Sequence, residues 1–386
     1  MDCQQAPIFN KPNNKSINHP NQLNTIPEII LSGSAYERGL QHGRLLGPVI
    51  RDFLNDNRAR INCIRQFPLD EAVIKSQVQQ HAAIIEAQLP EIARELRGLA
   101  AGANISYEDA VLLQIRVELI AFGEQDILEG DCSTLGFKRQ AHAVITGQTI
   151  DLPGNMTGLG CIFRILPEKT GDPAILMYGF AGLLGYMGLN SCGLSVNINM
   201  VVSGDWQPGV SPYLLVRHLL NQSSIEACLQ ELRKITRSSS RSFMIADKNR
   251  LVNIELTGNE IKIMENTALF HTNHYLDPEL AKQDKMHFMF KNSSVKRLKL
   301  LKQLLPAEAK KISPEILFSI FADHSLYPVG ICAHAGGNIR RSETVAAVVM
   351  EPGRFLLHAR KGNPCTGTTA SFEIILPQIE IIPGYG

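Results

Sequence analysis

The change of sequence pattern at residues 130–132 constrains the fold more than any other feature. Between about residues 29 and 130, apolar residues recur at the spacing of helices that bury one face. After residue 132 the chain consists largely of short runs rich in Val, Ile and Phe, separated by clusters of Gly, Pro and Asn. Strands and helices come in blocks rather than in strict alternation, so we predict an α+β architecture with stacked layers.

The patterns predict individual elements in both halves. In the first half Ser106 and Asp109 form a capping-box start for a helix. Helices are predicted over 36–57, 70–99, 106–122, 212–221, 224–235, 293–305 and 314–322. Strands are predicted over 133–137, 143–150, 161–166, 174–180, 193–200, 243–246, 251–256, 260–264, 268–270, 345–350 and 355–359.

Composition and charge exclude several classes of function. The 38 basic and 37 acidic residues give a net charge of +1, so the basic excess of a nucleic-acid-binding protein is missing. The longest apolar stretch, 174–189, contains glycines and is shorter than the roughly 20 residues that span a bilayer. The polar first residues lack the apolar segment of a signal peptide. We therefore predict a cytoplasmic protein with a disordered segment at 1–28.

Several kinds of site lack their sequence motifs. The chain has no GxxxxGK[ST], no GxGxxG opening a helix, no HExxH and no GxSxG. Its cysteines form no CxxC pair, and the Cys and His residues between 323 and 334 have irregular spacing. We accordingly predict no metal site and no cofactor.

Cys132 stands where the strand-rich half begins. If the bond before it is cut, Cys132 becomes a new N-terminus, and its α-amine, with a pKa near 8, can activate the adjacent thiol. No histidine is then needed. A cysteine at a strand start is also often a small buried apolar residue. Position alone leaves both interpretations open.

Two polar residues further along the chain fit the same chemistry. Asp151 follows the predicted strand 143–150, so it can lie beside Cys132 on neighbouring strands of one hairpin. Asn273 follows an apolar run and can donate an amide N–H to an oxyanion. Asp151 can instead cap a turn, Asn273 can be a turn residue, and the flanking His271 and His274 can be ordinary core or surface histidines.

A series of short segments occurs in an order that strengthens this interpretation. They are Gly33-Ser-Ala-Tyr-Glu-Arg-Gly39 with His42-Gly43, Gly130-Asp-Cys-Ser-Thr134, Gly147-Gln-Thr-Ile-Asp151, Gly185 with Gly188-Leu-Asn-Ser-Cys-Gly-Leu194, Ile245-Ala-Asp247 with Ile254-Glu255, His271-Thr-Asn-His274, Asp323-His324 with Ile331-Cys332 and His334, and Gly362-Asn-Pro-Cys365. Together they resemble the acyl-coenzyme A:6-aminopenicillanate acyltransferases, also called isopenicillin-N acyltransferases, over nearly the whole chain from about residue 29.

The resemblance implies a fold and a maturation step. Such proteins are N-terminal-nucleophile hydrolases, with a four-layer αββα sandwich and a helical N-terminal segment. The precursor cleaves itself before the nucleophilic cysteine, here between Asp131 and Cys132. The implied products are an α chain, 29–131, and a catalytic β chain, 132–386, that stay together as an αβ heterodimer.

The resemblance also assigns roles to individual residues. Cys132 is the nucleophile, Asp151 the acid that orients its amine, and Asn273 the oxyanion-hole side chain. Arg297 matches an arginine that can hold a substrate carboxylate. Since Arg297 lies on a predicted amphipathic helix beside Lys296, a place on a solvated face stays open as an alternative.

The implied function is that of a cysteine amidohydrolase or acyltransferase. It acts on a small N-acyl amide, or with an acyl-coenzyme A donor, through an acyl-enzyme at Cys132, without metal or redox cofactor. The expected partner is that small molecule, with no nucleic acid and no membrane. One alternative is an N-acyl or β-alanyl amine conjugate hydrolase without transferase activity.

A second alternative is an unprocessed, inactive binding protein with the same fold. Two departures from the family pattern favour it. The family commonly has Gln-Asn-Trp-Asp where this chain has Gln148-Thr149-Ile150-Asp151, and the fungal enzymes have Gly where this chain has Asp131.

Overall fold

The structure is a computed structural model that describes residues 25–56, 58–123, 132–139, 143–305, 312–327 and 330–375. Residues 1–24 of the predicted disordered segment lie outside the described residues. The predicted cleavage residue Asp131 also lies outside them. The helices are α1 (Ala35–Asn55), α2 (Ile61–Ile64), α3 (Glu71–Gln88), α4 (Pro90–Ala103), α5 (Tyr107–Gln114), α6 (Arg116–Ala121), α7 (Pro212–Leu219), α8 (Ile225–Lys234), α9 (Phe288–Leu304) and α10 (Pro314–Phe321).

All strands except β1 come after helices α1–α6 in the chain, and helices α7–α10 lie among them. They are β1 (Glu28–Leu31), β2 (Thr134–Lys138), β3 (Val144–Leu152), β4 (Gly160–Ile165), β5 (Ile175–Phe180), β6 (Met187–Asn190), β7 (Ser195–Met200), β8 (Arg241–Ala246), β9 (Leu251–Leu256), β10 (Ile261–Glu265), β11 (Ala268–His271), β12 (Glu343–Glu351), β13 (Leu356–Lys361) and β14 (Ala370–Glu373).

The elements differ from the sequence predictions in a few places. The helix predicted over 70–99 divides into α3 and α4, because Pro90 lacks an N–H and disfavours helical geometry at Leu89, which has φ −131° and ψ 65°. The helix predicted over 106–122 divides at Ile115. Strands β1, β6 and β14 were not predicted. Each has four residues, which is too short for a periodic pattern to stand out.

The strands form two sheets. One has the order β11-β2-β3-β12-β13-β14 and is antiparallel throughout. The other has the order β1-β4-β5-β6-β7-β8-β9-β10 and is antiparallel except where β1 pairs with β4 in parallel. Strand β1 therefore ties the start of the helical half into the larger sheet.

The sheets face each other across an apolar layer. Val144 of one sheet packs with Met244 and Leu251 of the other, and all three are buried. Gly136 of β2 makes this approach possible, because a Cβ there would lie 2.6 Å from Leu251 Cδ1. The sheets are therefore stacked closely enough for their facing side chains to interdigitate.

Helices cover the outer face of each sheet. Phe318 and Phe321 of α10 pack with Leu135 and Val349 against the six-stranded sheet. On the eight-stranded sheet, the His42 ring of α1 lies 4.7 Å from the Phe163 ring of β4. The order is helices, sheet, sheet, helices, so the predicted four-layer α+β sandwich is confirmed.

Helices α1 and α4 pack through glycines in direct backbone contact. A Cβ at Gly39 would lie 1.9 Å from the Glu95 carbonyl oxygen, and a Cβ at Gly98 would lie 2.0 Å from the Tyr36 carbonyl oxygen. Neither neighbour can move without moving its helix. The close approach also brings Glu95 to Arg217 of α7, where their charged groups are 3.0 Å apart and both side chains are buried.

Among the described residues, no helix has the length and apolar character needed to cross a membrane. The predicted cytoplasmic location stays a prediction.

We expect Gly39→Ala to lower the free energy of unfolding by about 1–3 kcal/mol, the usual cost of overpacking, despite the better helix propensity of alanine. Gly158→Ala is the control, because a Cβ there meets no atom within 4 Å. Urea unfolding followed by circular dichroism measures both. A Gly39→Ala protein as stable as the control would contradict the close packing of α1 on α4.

Candidate active site

Cys132 and Asp151 lie side by side at one end of the β2–β3 hairpin. The antiparallel register pairs Thr134 with Gln148, and the Thr149 N–H donates to the Ser133 carbonyl oxygen at 3.0 Å. Cys132 precedes β2 and therefore reaches the end of β3, where the backbone N–H of Asp151 lies 3.3 Å from its Sγ. The sequence predicted this proximity from the hairpin.

Two hydroxyl groups fix the Asp151 carboxylate. Thr149 Oγ1 donates to Oδ2 at 2.8 Å, and Thr344 Oγ1 of β12 donates to Oδ1. The same Thr149 oxygen accepts the Ser133 N–H at 3.0 Å. Asp151 is 3% exposed, so these bonds replace water around a buried acceptor. These bonds hold the carboxylate in one orientation.

Arg297 is buried at the same place. Its NH1 donates to the Cys132 carbonyl oxygen at 2.8 Å and to Ser133 Oγ at 3.0 Å, and its NH2 donates to Asn273 Oδ1 at 2.9 Å. Arg297 is 0% exposed, whereas Lys296 and Lys299 lie on the exposed face of α9. Arg297 is therefore not part of the solvated face of that helix. Its contacts position the protein's own groups.

Asn273 follows β11, which pairs with β2, and is 0% exposed. Its side-chain Nδ2 donates to the Met200 carbonyl oxygen at 3.1 Å, and its backbone N–H donates to Ser294 Oγ at 2.7 Å. A primary amide has two N–H groups, so Nδ2 carries one more beyond the Met200 bond. The structure thus brings together Cys132, Asp151, Asn273 and Arg297, the described residues that the sequence selected.

The neighbouring histidines, His271 and His274, are buried and have hydrogen-bond partners of their own. His271 Nε2 lies 2.8 Å from Glu255 Oε1, and both side chains are fully buried. His274 Nδ1 lies 2.7 Å from Ser294 Oγ, and burial together with the charge of His271 lowers the pKa of His274 to about 4. These contacts match the interpretation of both residues as core histidines.

Asn199 of β7 also belongs to the site and was not predicted from the sequence. Its Nδ2 donates to the Cys132 carbonyl oxygen at 3.3 Å, and its Oδ1 accepts from Thr134 Oγ1. Asn199 reaches Cys132 from the facing sheet. The signal was present in the sequence, since Asn197 and Asn199 alternate with apolar residues in this strand.

Cys132 and Asp151 line a pocket with a cavity volume of about 50 Å³. Its wall is largely apolar or aromatic, and the rings of Tyr186 and Tyr213 stack there at 5.4 Å. The remaining lining residues are Ile64, Arg116, Val117, Ile120, Leu152, Pro153, Ile198, Met200 and Arg241.

The pocket has two buried cations. Arg116 is 5% exposed; its Nε donates to the Ala59 carbonyl oxygen at 2.7 Å, and its NH2 has no hydrogen-bond partner within the described part of the chain. Burial lowers the pKa of Arg116 to about 10, so the group stays charged at neutral pH. Arg241 NH1 donates to the Ser240 carbonyl oxygen at 2.6 Å. The one carboxylate among the lining residues is that of Asp151. The wall therefore carries a positive excess.

The family model described as acyl-coenzyme A:6-aminopenicillanic acid acyl-transferase matches residues 162–364, a little more than half of the chain. The chain belongs to this family. The matched residues of the acyl-transferase family include Asn273 and Arg297 and begin after Cys132 and Asp151. The family match therefore does not cover Cys132 and Asp151, and their place in the candidate site rests on its geometry.

A curated family relative is the acyl-coenzyme A:6-aminopenicillanic-acid-acyltransferase 40 kDa form of Emericella nidulans, which is 23% identical over 213 residues. The match covers 53% of this chain, and the chain spans 58% of the length of that relative.

Solved structures are similar at lower identity. Penicillin V acylase from Agrobacterium tumefaciens has a TM-score of 0.46 at 15% identity, with 63% of this chain and 86% of that chain covered. The Caenorhabditis elegans ortholog of N-acylethanolamine-hydrolyzing acid amidase has a TM-score of 0.42 at 16% identity, covering 57% and 93%. Conjugated bile acid hydrolase from Clostridium perfringens has a TM-score of 0.42 at 13% identity, covering 65% and 100%.

We expect Arg297→Met to lower the free energy of unfolding by about 3 kcal/mol or more, because it leaves several buried acceptors without a charged donor, and bonds to charged groups contribute about 1.5–3 kcal/mol each. Lys296→Met, on the exposed face of the same helix, should change it by less than about 0.5 kcal/mol. Urea unfolding compares the two. Equal stability would mean that Arg297 does not hold the site together.

Proposed function

We propose that the protein is an autoprocessed cysteine N-terminal-nucleophile enzyme that cleaves the amide bond of a small acyl compound through a thioester at Cys132. The observation that carries this proposal is the placement of Cys132 at the wall of the pocket, with Asp151 beside its thiol and its carbonyl oxygen held by Arg297 and Asn199. Membership of the acyl-transferase family supports the reaction class.

Maturation would begin at the bond between Asp131 and Cys132. The Cys132 thiol attacks the Asp131 carbonyl carbon, the C–N bond breaks, and a thioester forms as the α-amine of Cys132 takes the proton. Water then hydrolyses the thioester, which leaves a carboxylate on Asp131 and a free thiol on Cys132. This sequence of steps needs no co-reactant other than water.

The two products would stay associated after cleavage. Strand β1 of the N-terminal part pairs with β4, the buried Glu95 bonds Arg217, and His81 Nδ1 lies 2.8 Å from the Gly209 carbonyl oxygen. These contacts join residues on either side of the cleavage point through sheet, ion pair and core. We therefore propose an αβ heterodimer of 29–131 with 132–386.

In the mature enzyme each residue would have a distinct role. The α-amine of Cys132 takes the thiol proton and later returns it to the leaving amine. Asp151, whose carboxylate is fixed by two threonine hydroxyls, orients the ammonium form. The remaining N–H of Asn273 donates to the oxyanion as the carbonyl carbon becomes tetrahedral. Arg297 acts as a positioning residue, since it holds both Cys132 and Asn273.

The pocket favours an anionic substrate with an apolar part. Arg116 and Arg241 line the wall, and Arg116 NH2 is a buried donor without a partner in the described structure. A buried cationic donor gains most from an acceptor that carries the opposite charge. We therefore assign recognition of a substrate carboxylate to this pair rather than to Arg297. The acyl acceptor is water or an amine, since both reactions need the same residues.

We expect the purified wild-type protein to give two masses under denaturing conditions, corresponding to chains that meet between Asp131 and Cys132. Cys132→Ala should give one full-length mass, because no thiol attacks the bond. Cys63→Ala, a partly buried cysteine outside the site, is the control and should be cleaved. A full-length mass for the wild type would contradict maturation and favour an inactive binding protein.

We expect Arg241→Gln to raise KM about 10-fold or more for an N-acyl amide that carries a carboxylate, because a bond from a charged donor is lost. The methyl ester of the same compound should show little change in KM. Arg233→Gln, an exposed arginine on α8, is the control. Steady-state kinetics with the acid and the ester separate recognition of the negative charge from a general effect of the substitution. An equal effect on both would contradict recognition of the negative charge.

A further inference from the structure

His324, Cys332, His334 and Cys365 converge at one point. The first three lie between α10 and β12, and Cys365 follows β13. The Nε2 atoms of His324 and His334 are 3.0 Å apart, and Cys332 Sγ is 3.7 Å from Cys365 Sγ. His334 Nε2 lies 3.5 Å from Cys332 Sγ and 3.7 Å from Cys365 Sγ. One ligand atom from each residue lies within 4.8 Å of all the others.

These separations are close to the edges of one coordination tetrahedron. Zinc–sulfur bonds of about 2.3 Å and zinc–nitrogen bonds of about 2.0–2.1 Å give S–S edges of about 3.8 Å, S–N edges of about 3.6 Å and N–N edges of about 3.3 Å. The observed 3.7, 3.5 and 3.0 Å match them within a few tenths of an ångström. The ligand atoms are already arranged around a common centre.

From this geometry we infer that His324, Cys332, His334 and Cys365 bind one zinc ion. Two thiolates and two imidazoles are a soft, tetrahedral donor set that favours zinc over magnesium or calcium. All four ligands come from the protein, so the ion has no open position and its role is structural rather than catalytic. The pocket of Cys132 is lined by other residues.

A disulfide does not account for the cluster. Cys332 and Cys365 are both free, and their sulfur atoms are far beyond the bond length of about 2.05 Å. A disulfide between them would also leave the converging ring nitrogens of His324 and His334 unexplained.

Asn363 contacts the cluster from outside: its Nδ2 lies 3.7 Å from Cys332 Sγ and donates to the Ala333 carbonyl oxygen at 2.7 Å. Such outer contacts typically orient metal ligands.

The zinc ion would fix the segment that supports Asp151. Ala333 lies between two of the ligands, its N–H donates to Thr344 Oγ1 at 2.8 Å, and its carbonyl oxygen accepts the Thr344 N–H at 3.0 Å. The Thr344 hydroxyl in turn donates to the Asp151 carboxylate. A zinc ion bound by Cys332 and His334, the residues before and after Ala333, would thus immobilise Thr344, whose hydroxyl orients Asp151.

The test begins with metal analysis of the full-length protein, purified without chelators and measured by inductively coupled plasma mass spectrometry. We expect about one zinc per chain, and cobalt substitution should give the absorption spectrum of a tetrahedral thiolate–imidazole site. The double variant Cys332→Ser/Cys365→Ser should lose the zinc. Cys63→Ser, at a partly buried cysteine outside the cluster, should keep it.

A second measurement uses the wild-type chain and stays informative if the double variant fails to fold. Metal-depleted protein is titrated with Zn²⁺ alone by calorimetry, and unfolding is followed with and without zinc. One site per chain and a higher unfolding temperature with zinc would support the proposal. No binding by the depleted protein, zinc retained by the folded double variant, or a Cys332–Cys365 disulfide in the fresh protein would overturn it. None of these readouts depends on enzyme activity.

Discussion

The buried guanidinium of Arg297 holds the candidate active site together. It donates to the Cys132 carbonyl, the Ser133 hydroxyl and the Asn273 amide oxygen, so it connects the start of β2, the end of β11 and helix α9. A planar group with several fixed donors can meet these acceptors at once, which a single ammonium cannot. One side chain therefore bonds both the candidate nucleophile's residue and the candidate oxyanion donor.

The stacking of the two sheets completes the site. Gln148 of β3 reaches across the sandwich: its Oε1 accepts the Ile198 N–H at 3.1 Å, and its Nε2 donates to the Ile198 carbonyl oxygen. The Gln148 amide thus bonds the Ile198 backbone in the way that a neighbouring strand would, although β3 and β7 belong to different sheets. Asn199, the next residue on β7, is thereby brought to the Cys132 carbonyl oxygen. The stacking of the sheets therefore also supplies a donor to Cys132.

The helical half and the proposed zinc cluster each contact the site through different residues. Arg116 of α6 brings a cation from the helical half to the pocket, so residues on both sides of the proposed cleavage point build its wall. The His324–Cys365 cluster instead acts through Ala333 and Thr344 on the Asp151 carboxylate. Cleavage before Cys132 and metal binding would thus act on one arrangement of residues.

The sequence by itself determined the features that depend on near neighbours. Periodicity predicted most of the elements and a layered α+β class, and the β2–β3 hairpin placed Asp151 beside Cys132, because antiparallel strands joined by a short connection pair in register. Tertiary structure alone decided the contacts of Arg297, the approach of Asn199 from the facing sheet and the meeting of Cys365 with His324, Cys332 and His334. Arg297 and Asn199 lie 165 and 67 residues along the chain from Cys132. Cys365 lies 33 residues from Cys332, so these contacts all depend on how sheets and loops pack.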